Sequence, residues 1–577
     1  KETVRVGSGL LGNHWAFDAR ISNIQSDGYR DRATSDLKSY FLQGGYYGEN
    51  TTLKLIAFGG KEKTYHAWDG ISREQLETDR TYNPNGAIKD DNLNKGNIIG
   101  FYDDQTDNYE QTNYQLIFNH LFSPEWHLNI ALHYTDGFGY YQEYKNGRTL
   151  EEYGLKPFYL PENTEAQTKT NLVRQKLVDS GFGGGVFSVD YKDEKLSASL
   201  GGGLNHYSND HYGKVIWVKN YTEPLNPDHE YYRNNGSKTD GNIYAKANYQ
   251  ITKGLHAYAD LQYRYISYKI EGDNDKWDWT ADPGHLQRLN VNEDFSFFNP
   301  KAGLFWQFNP NHSAYASFAV AQKEPTRNNY TDGLFDELPR PEKMLDYELG
   351  YTFRNSRFTA GVNLYYMDYT DQLVLNGKVN DIGEAMAENV KDSYRMGIEL
   401  SLGARITDWL RWDLNGTWSK NRIKNYTGYM SDYNQNWKEL YTQTAIYAGD
   451  TPISFSPSFM GNSLISFNYK GFDASLQSQY VSRQYLDNFG IDENSLDPYF
   501  VNHLSLAYSF KLPSVKQITV GATIYNLFNT RYETNGYSQN AAVYEGSDKN
   551  QKAVISYDPR FYPMAGTNVL AHITVRF

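Results

Sequence analysis

The chain has 577 residues, a formal net charge of −13 and no cysteine. Without cysteine there is no disulfide, thiolate zinc site, iron–sulfur cluster or thiol nucleophile, and the acidic surplus argues against a nucleic-acid partner, which needs a basic surface. Aromatic residues make up 16 % of the chain, with 51 Tyr and 29 Phe, and no apolar run is long enough for a membrane-spanning helix. A membrane barrel tolerates the low mean hydropathy of −0.72, because only every second residue of a strand faces lipid.

In chain order, "KETVRVGSGLL" lacks the features of a signal peptide, so any targeting segment is expected upstream. Gly7, Gly9 and Gly12 mimic a dinucleotide-binding glycine pattern, but the alternating "NHWAFDARIS" follows where that fingerprint needs a helix, so the glycines read as a hairpin turn. Period-2 alternation then recurs throughout. Short turns are expected near 10–13, 47–50, 122–126, 192–194, 252–255, 309–312, 354–357, 407–409, 470–472 and 511–516. Long polar stretches, read as loops, separate them at about 60–110, 138–180, 206–240, 270–292, 420–455 and 531–562. Aromatics such as Trp15, Trp126, Trp409 and Phe472 flank the short turns as an interfacial girdle would. In "LDYELGYTF", Leu345, Tyr347, Leu349, Tyr351 and Phe353 share one face, opposite Asp346, Glu348 and Thr352. The final "NVLAHITVRF" places Val569, Ala571, Ile573, Val575 and Phe577 on one face, opposite His572, Thr574 and Arg576.

Ten short turns join twenty strands, and the terminal strand makes 21. Single-chain bacterial barrels have an even number, so one further strand is expected upstream, closing a transmembrane antiparallel β-barrel of about 22. The whole chain, 1–577, reads as that barrel: all-β, with short periplasmic turns and long extracellular loops.

Chemistry-bearing motifs are sparse. His206 and His211, with Asp210 between them, could reach a metal, but dispersed loop histidines are more often inert; no catalytic residue, metal site or cofactor is assigned, and an enzyme is not expected. The acidic runs at 101–110 and 271–279 fit no calcium-loop spacing. Tyr65, Trp68, Tyr102, Tyr140, Tyr141, Trp277, Trp279 and Tyr330 lie in the stretches assigned outside the cell. There they supply rigid amphipathic contact area for a ligand, or pack loops on one another. Lys323 and Arg327 add local positive charge.

Four segments in order resemble the TonB-dependent outer-membrane receptors: "YASFAVAQKEPTRNNY" (315–330), "LPRPEKMLDYELGY" (338–351), "ENVKDSYRMGIEL" (388–400) and "YNLFNTRYET" (525–534). Terminal Phe577 resembles the signal read by the outer-membrane assembly machinery. The resemblance implies a barrel in the cell outer membrane of a diderm bacterium, in contact with outer-membrane lipid and plugged by an N-terminal domain. It also implies energy from a TonB–ExbB–ExbD complex acting through that plug, and leaves room for a surface lipoprotein. The plug and the first strand are expected upstream of Lys1. A ferric siderophore is the expected ligand. Haem is demoted because 321–343 has neither histidine nor the haem-receptor motifs; the polysaccharide-importing branch is demoted on size; cobalamin stays open. Two competing readings are a passive porin and a soluble all-β protein such as a propeller.

Overall fold

The computed structural model describes residues 1–91, 93–161, 164–226, 228–278, 281–332, 338–545 and 552–577. Among them, 24 strands share one sheet. Three of these, Glu439–Pro452, Ala541–Tyr544 and Val554–Ser556, belong to the long loops and leave 21 wall strands, the number expected. The wall runs as an up-and-down antiparallel meander from Glu2–Gly7, paired with Trp15–Ser26, to Asn568–Arg576, paired with Val515–Tyr525. No helix among the described residues is long and apolar enough to cross a membrane.

All ten short turns fall where alternation breaks, for example between Tyr47 and Thr51, Leu121 and Trp126, and Tyr469 and Phe472. The first turn takes Gly9 and Gly12 at positive φ, 64° and 53°, a backbone that glycine adopts without steric penalty. No helix follows it, so the hairpin reading of "GSGLLG" holds. Aromatics gather at this end: Trp15 meets Tyr46 edge-on at 5.2 Å, Trp126 meets Tyr191 at 4.9 Å and Trp409 meets Phe467 at 5.2 Å.

The long polar stretches differ from their reading as loops. Most of 138–180 and 206–240 is strand: Trp126–Thr149, Lys169–Lys192, Leu196–Val218 and Glu230–Gln250 each run 21 to 24 residues. A barrel strand needs only about ten residues to span the bilayer. The excess projects as paired arms, because backbone groups beyond the lipid still gain from laddering.

The two faces separate as the alternation requires. In the last strand Val569, Ala571, Ile573 and Val575 stand opposite Ile524, Ala522, Val520 and Ile518, so one face of the pair is wholly apolar, with Val520 and all four last-strand residues exposed and the other three partners half-buried, as lipid contact demands. The opposite face of the wall is polar: Tyr315 donates to Glu348 at 3.0 Å and to Asn363 at 2.9 Å, and Asn129 donates to Asp190 at 2.8 Å. Ile573→Arg is therefore expected to cost about 2–4 kcal/mol, and His572→Arg, one residue away on the other face, well under about 1 kcal/mol. Denaturant unfolding in liposomes checks this; the reverse order contradicts the face assignment.

The molecule divides into two compact units. One comprises 1–69, 82–248 and 260–299; the other comprises 70–81, 249–259 and 300–577. In the first, Leu150, Tyr153, Phe158, Leu172, Val215, Val218, Tyr231 and Tyr232 make a buried core between the long arms. In the second, Val374, Val390, Ile423, Tyr426 and Ile453 do so, beside the fully buried Asp487, which accepts from the Phe489 amide at 2.9 Å and from Asn540 at 2.6 Å. The segment 70–81 docks inside the second unit: Ile71 exchanges two backbone bonds of 2.9 Å with Phe561, and Arg80 pairs with Glu533 at 2.5 Å.

Candidate ligand-capture site

Face parity sorts the aromatic candidates. In the strand Trp126–Thr149, the exposed Ile130, Leu132 and Tyr134 mark the even positions as lipid-facing. Tyr140 continues that face upward, whereas Tyr141, Glu143 and Lys145 continue the polar one.

Tyr65 and Tyr102 belong on Tyr140's side. Tyr65 is buried, and its hydroxyl donates to the carbonyls of Tyr102 at 2.9 Å and Asn85 at 3.3 Å. The Tyr102 hydroxyl accepts from Gln142 at 2.9 Å, and its ring lies 5.9 Å from Tyr144. Tyr65, Tyr102 and Tyr144 thus hold the backbone at Asn85 and Tyr102 against the outer side of the arms.

The polar side gathers a different set. Trp68 meets Tyr141 edge-on at 5.1 Å and stacks on His66 at 3.6 Å. Tyr141 stands directly opposite Lys176, and Glu143 opposite Arg174. Arg174 donates to Glu143 from Nε at 2.9 Å and to Asp275 from Nη1 at 3.0 Å. Lys145 pairs with Glu143 at 2.9 Å and Lys176 with Asp275 at 2.8 Å. Three cations thus meet Glu143 and Asp275, with Asp107 directly opposite Tyr141 and Asp69 beside Lys145, so the cations sit in a mixed-charge network. Burial pushes the Glu143 carboxyl up, but Arg174, Lys145 and Lys176 together overcome this and bring it down to about 2.

Asp275 reaches this group from afar in the sheet. Its strand, Leu255–Asp278, is separated from Lys169–Lys192 by two others. Three strand spacings of about 4.8 Å would put them roughly 14 Å apart, so a 3.0 Å contact means that the arms curl over. Gly272 permits this with a φ of 120°. Before it, odd-numbered Tyr263 and Tyr265 lie on the exposed apolar face; after it, odd-numbered Asp275 is on the polar one. Trp277, two residues on, shares Asp275's side by alternation and packs against Gly284, where an added Cβ would come 2.7 Å from the indole Nε1. Trp279 lies outside the described residues.

In the second unit, Lys323 ends the strand His312–Lys323, exposed and opposite Glu342. Arg327 and Tyr330 sit on the five-residue helix Arg327–Thr331, whose capping box joins Thr326 and Asn329. Asn328 ties this helix to Glu384 at 2.6 Å, and Tyr330 is buried. Phe577 follows the last strand and is exposed. His206 and His211 do not converge: five positions apart in one strand, they face opposite sides, bonding Thr239 at 2.9 Å and Asn209 at 3.1 Å. No group of three metal-ligating side chains occurs among the described residues.

His66, Lys145, Arg174 and Lys176 escaped the sequence reading, and Asp275 entered it only within the acidic run 271–279. For Lys145, Arg174 and Lys176 the alternation that continues through 139–145 and 172–178 was the only signal. Burial brings the His66 imidazole down to about 4, with Lys145 acting the same way against Glu143 and Thr106. The unfolded chain therefore binds the extra proton between pH 6.5 and 4, so stability from this site is full above 6.5 and is lost as pH falls towards 4, by about 3 kcal/mol. Asp107, opposite Tyr141, is pushed up to about 6 by burial and by Glu62, and acts with the opposite sign. His66→Phe compared with wild type isolates the histidine: Trp68 fluorescence should change across that window in wild type and not in the variant.

An up-and-down antiparallel wall with one apolar face and long arms has the strand pattern of a membrane β-barrel. The sequence model described as TonB dependent receptor-like, beta-barrel, matches residues 45–527, most of the chain. The chain belongs to that family, whose members are transport receptors of the outer membrane and not enzymes. Among solved structures, it is similar to the ferric-catecholate import receptor Fiu from Escherichia coli K12, at 14 % identity and a TM-score of 0.65, covering all of this chain and 81 % of that one. It is similar to the siderophore receptor PiuA from Acinetobacter baumannii, at 13 % identity and a TM-score of 0.67, covering 99 % and 79 %. It is also similar to the copper transporter OprC, at 14 % identity and a TM-score of 0.62, covering 100 % and 79 %. At these identities the likeness is one of fold.

Proposed function

We propose that the chain forms the wall of a TonB-dependent importer that takes a ferric siderophore, an anionic chelate, across the outer membrane. The observation that supports this ligand class is the juxtaposition of Trp68 and Tyr141 with the Lys145–Arg174–Lys176 group on the polar side of the arms. A metal chelate with an aromatic, negatively charged surface meets both complements there. Fiu and PiuA, which share the fold, are named for ferric-catecholate and siderophore uptake. Equilibrium binding to the intact receptor, with ferric siderophores, haem and cobalamin side by side, tests the choice; tight binding of cobalamin alone refutes it.

A twenty-second strand and a plug domain complete this reading. Glu2–Gly7 pairs only with Trp15–Ser26, and Asn568–Arg576 only with Val515–Tyr525, among the described residues. In an antiparallel meander of 21 the first and last strands run the same way, and neither edge can stand unpaired in hydrocarbon. One further strand satisfies both edges. Drive would come from a TonB–ExbB–ExbD complex acting on the plug, and the reading of the gene 5′ of Lys1 checks whether both pieces are encoded.

A further inference from the structure

In the second unit, the strand Leu410–Asn434 changes character along its outer face. Trp412, Leu414 and Trp418 are exposed on the lipid side, opposite Ala404, Leu402 and Ile398 of the neighbouring strand. By the same alternation Lys420 and Arg422 follow on that face, opposite Met396 and Tyr394. At about 3.3 Å per residue and a tilt of about 40°, the run from Leu410 to Lys420 climbs about 25 Å, the height of an outer-membrane apolar band. Lys420 therefore stands at the upper edge of that band, and Arg422 among the headgroups. A row of rings marks the same level: Tyr394 lies 6.1 Å from Tyr366, which lies 6.4 Å from Tyr347. Lys424 rests over Tyr394 at 5.7 Å.

Lys420, Arg422 and Lys424 form no ion pair among the described residues. Elsewhere on the outer side such charges are matched: Lys61 pairs with Glu110, and Arg233 with Asp210. The carboxylates of this face do not serve the three cations. Asp450 accepts from the Asn425 amide at 3.1 Å, Asp392 stands a step above Tyr394, and the strand that carries Tyr394 separates Asp368 from Arg422. Unclaimed cations beside hydrocarbon gain most from an anion that the membrane itself supplies. Above them Asn425 takes a φ of 50°, and the alternation shifts by one: Tyr426 and Met430 are buried, while Thr427 and Tyr429 turn outward. Tyr447 stands opposite Thr427, and Tyr429 opposite Ala445. The two rings are 68 % and 54 % exposed, an uncharged surface suited to a saccharide, whose C–H faces stack on rings. Acyl chains, sugar phosphates and outer sugars follow one another in this order in the glycolipid of a diderm outer leaflet. We propose that this strand holds one such phosphorylated glycolipid, with acyl chains along Leu414 and Trp418, a sugar phosphate on Lys420 and Arg422, and the next sugars on Tyr429 and Tyr447.

Native mass spectrometry of the detergent-purified full-length receptor tests this. Deep-rough lipopolysaccharide and the same lipid stripped of its phosphates are added in equimolar amounts, with EDTA to remove bridging metal ions. Wild type should retain the phosphorylated form at least fivefold over the stripped one. That preference should vanish in the Lys420→Gln/Arg422→Gln variant and persist in Lys511→Gln/Lys516→Gln, which removes the same charge at a short turn. Tyr429→Ala/Tyr447→Ala should lower retention of both forms at least threefold and leave the preference in place. Heat-modifiable gel migration confirms that each variant is folded; a misfolded tyrosine variant leaves the Lys420→Gln/Arg422→Gln variant as the deciding test. Equal retention of the two forms by wild type, an unchanged preference without Lys420 and Arg422, an equal loss in the turn variant, or full retention by a folded tyrosine variant overturns the proposal.

Discussion

Arg174→Ala should loosen the arms while leaving the membrane wall intact. The Arg174 side chain is almost wholly buried and bridges Glu143 and Asp275. Removing it leaves two buried carboxylates served by Lys145 and Lys176 alone. Taking one partner from a buried ion pair typically costs about 3–5 kcal/mol. Because the arms extend beyond the bilayer, the cost should be local. Hydrogen exchange is expected to accelerate in 139–146 and 170–177 and to stay slow in 128–136. Arg174→Lys, which keeps the charge but loses the two-pronged contact, should fall between. Unchanged exchange in the alanine variant would show that the network holds nothing in place.

The second large effect separates the two aromatic groups. Trp68→Ala and Tyr141→Ala are each expected to weaken ferric-siderophore binding at least tenfold, about 1.4 kcal/mol, and Trp277→Ala should act in the same direction. Tyr65→Phe and Tyr102→Phe should stay within about twofold, because those tyrosines spend their hydroxyls on loop carbonyls and Gln142 on the far side of the arms. Binding isotherms on purified variants decide between the groups. A loss confined to Tyr65 and Tyr102 would place the ligand on the outer side and reject the capture site.

Much of the wall was legible because a strand in lipid has little freedom. Each turn broke the alternation at a visible point, and apolar and polar residues could not exchange faces without meeting the wrong solvent. Thus Val569, Ala571, Ile573 and Val575 could be assigned to lipid before their partners Ile524, Ala522, Val520 and Ile518 were known. Above the bilayer that constraint ends. The 138–180 stretch looked like loop because its outward residues no longer need to be apolar, yet its backbone stays paired into Trp126–Thr149 and Lys169–Lys192. Tyr140 and Tyr141 are neighbours in sequence and nothing in composition distinguishes them, but pleating sends them to opposite sides. The Arg174–Asp275 contact was invisible for another reason: it spans two intervening strands and depends on the face change at Gly272, which only the folded backbone reveals.

Energised transport is the core of the functional reading, and uptake of a radiolabelled ferric siderophore tests it most directly. Cells expressing the complete gene should accumulate label against a gradient when TonB is present, and lose essentially all of that accumulation when TonB is deleted or the proton gradient collapsed. Equal accumulation with and without TonB would contradict it and mark the barrel as a passive channel.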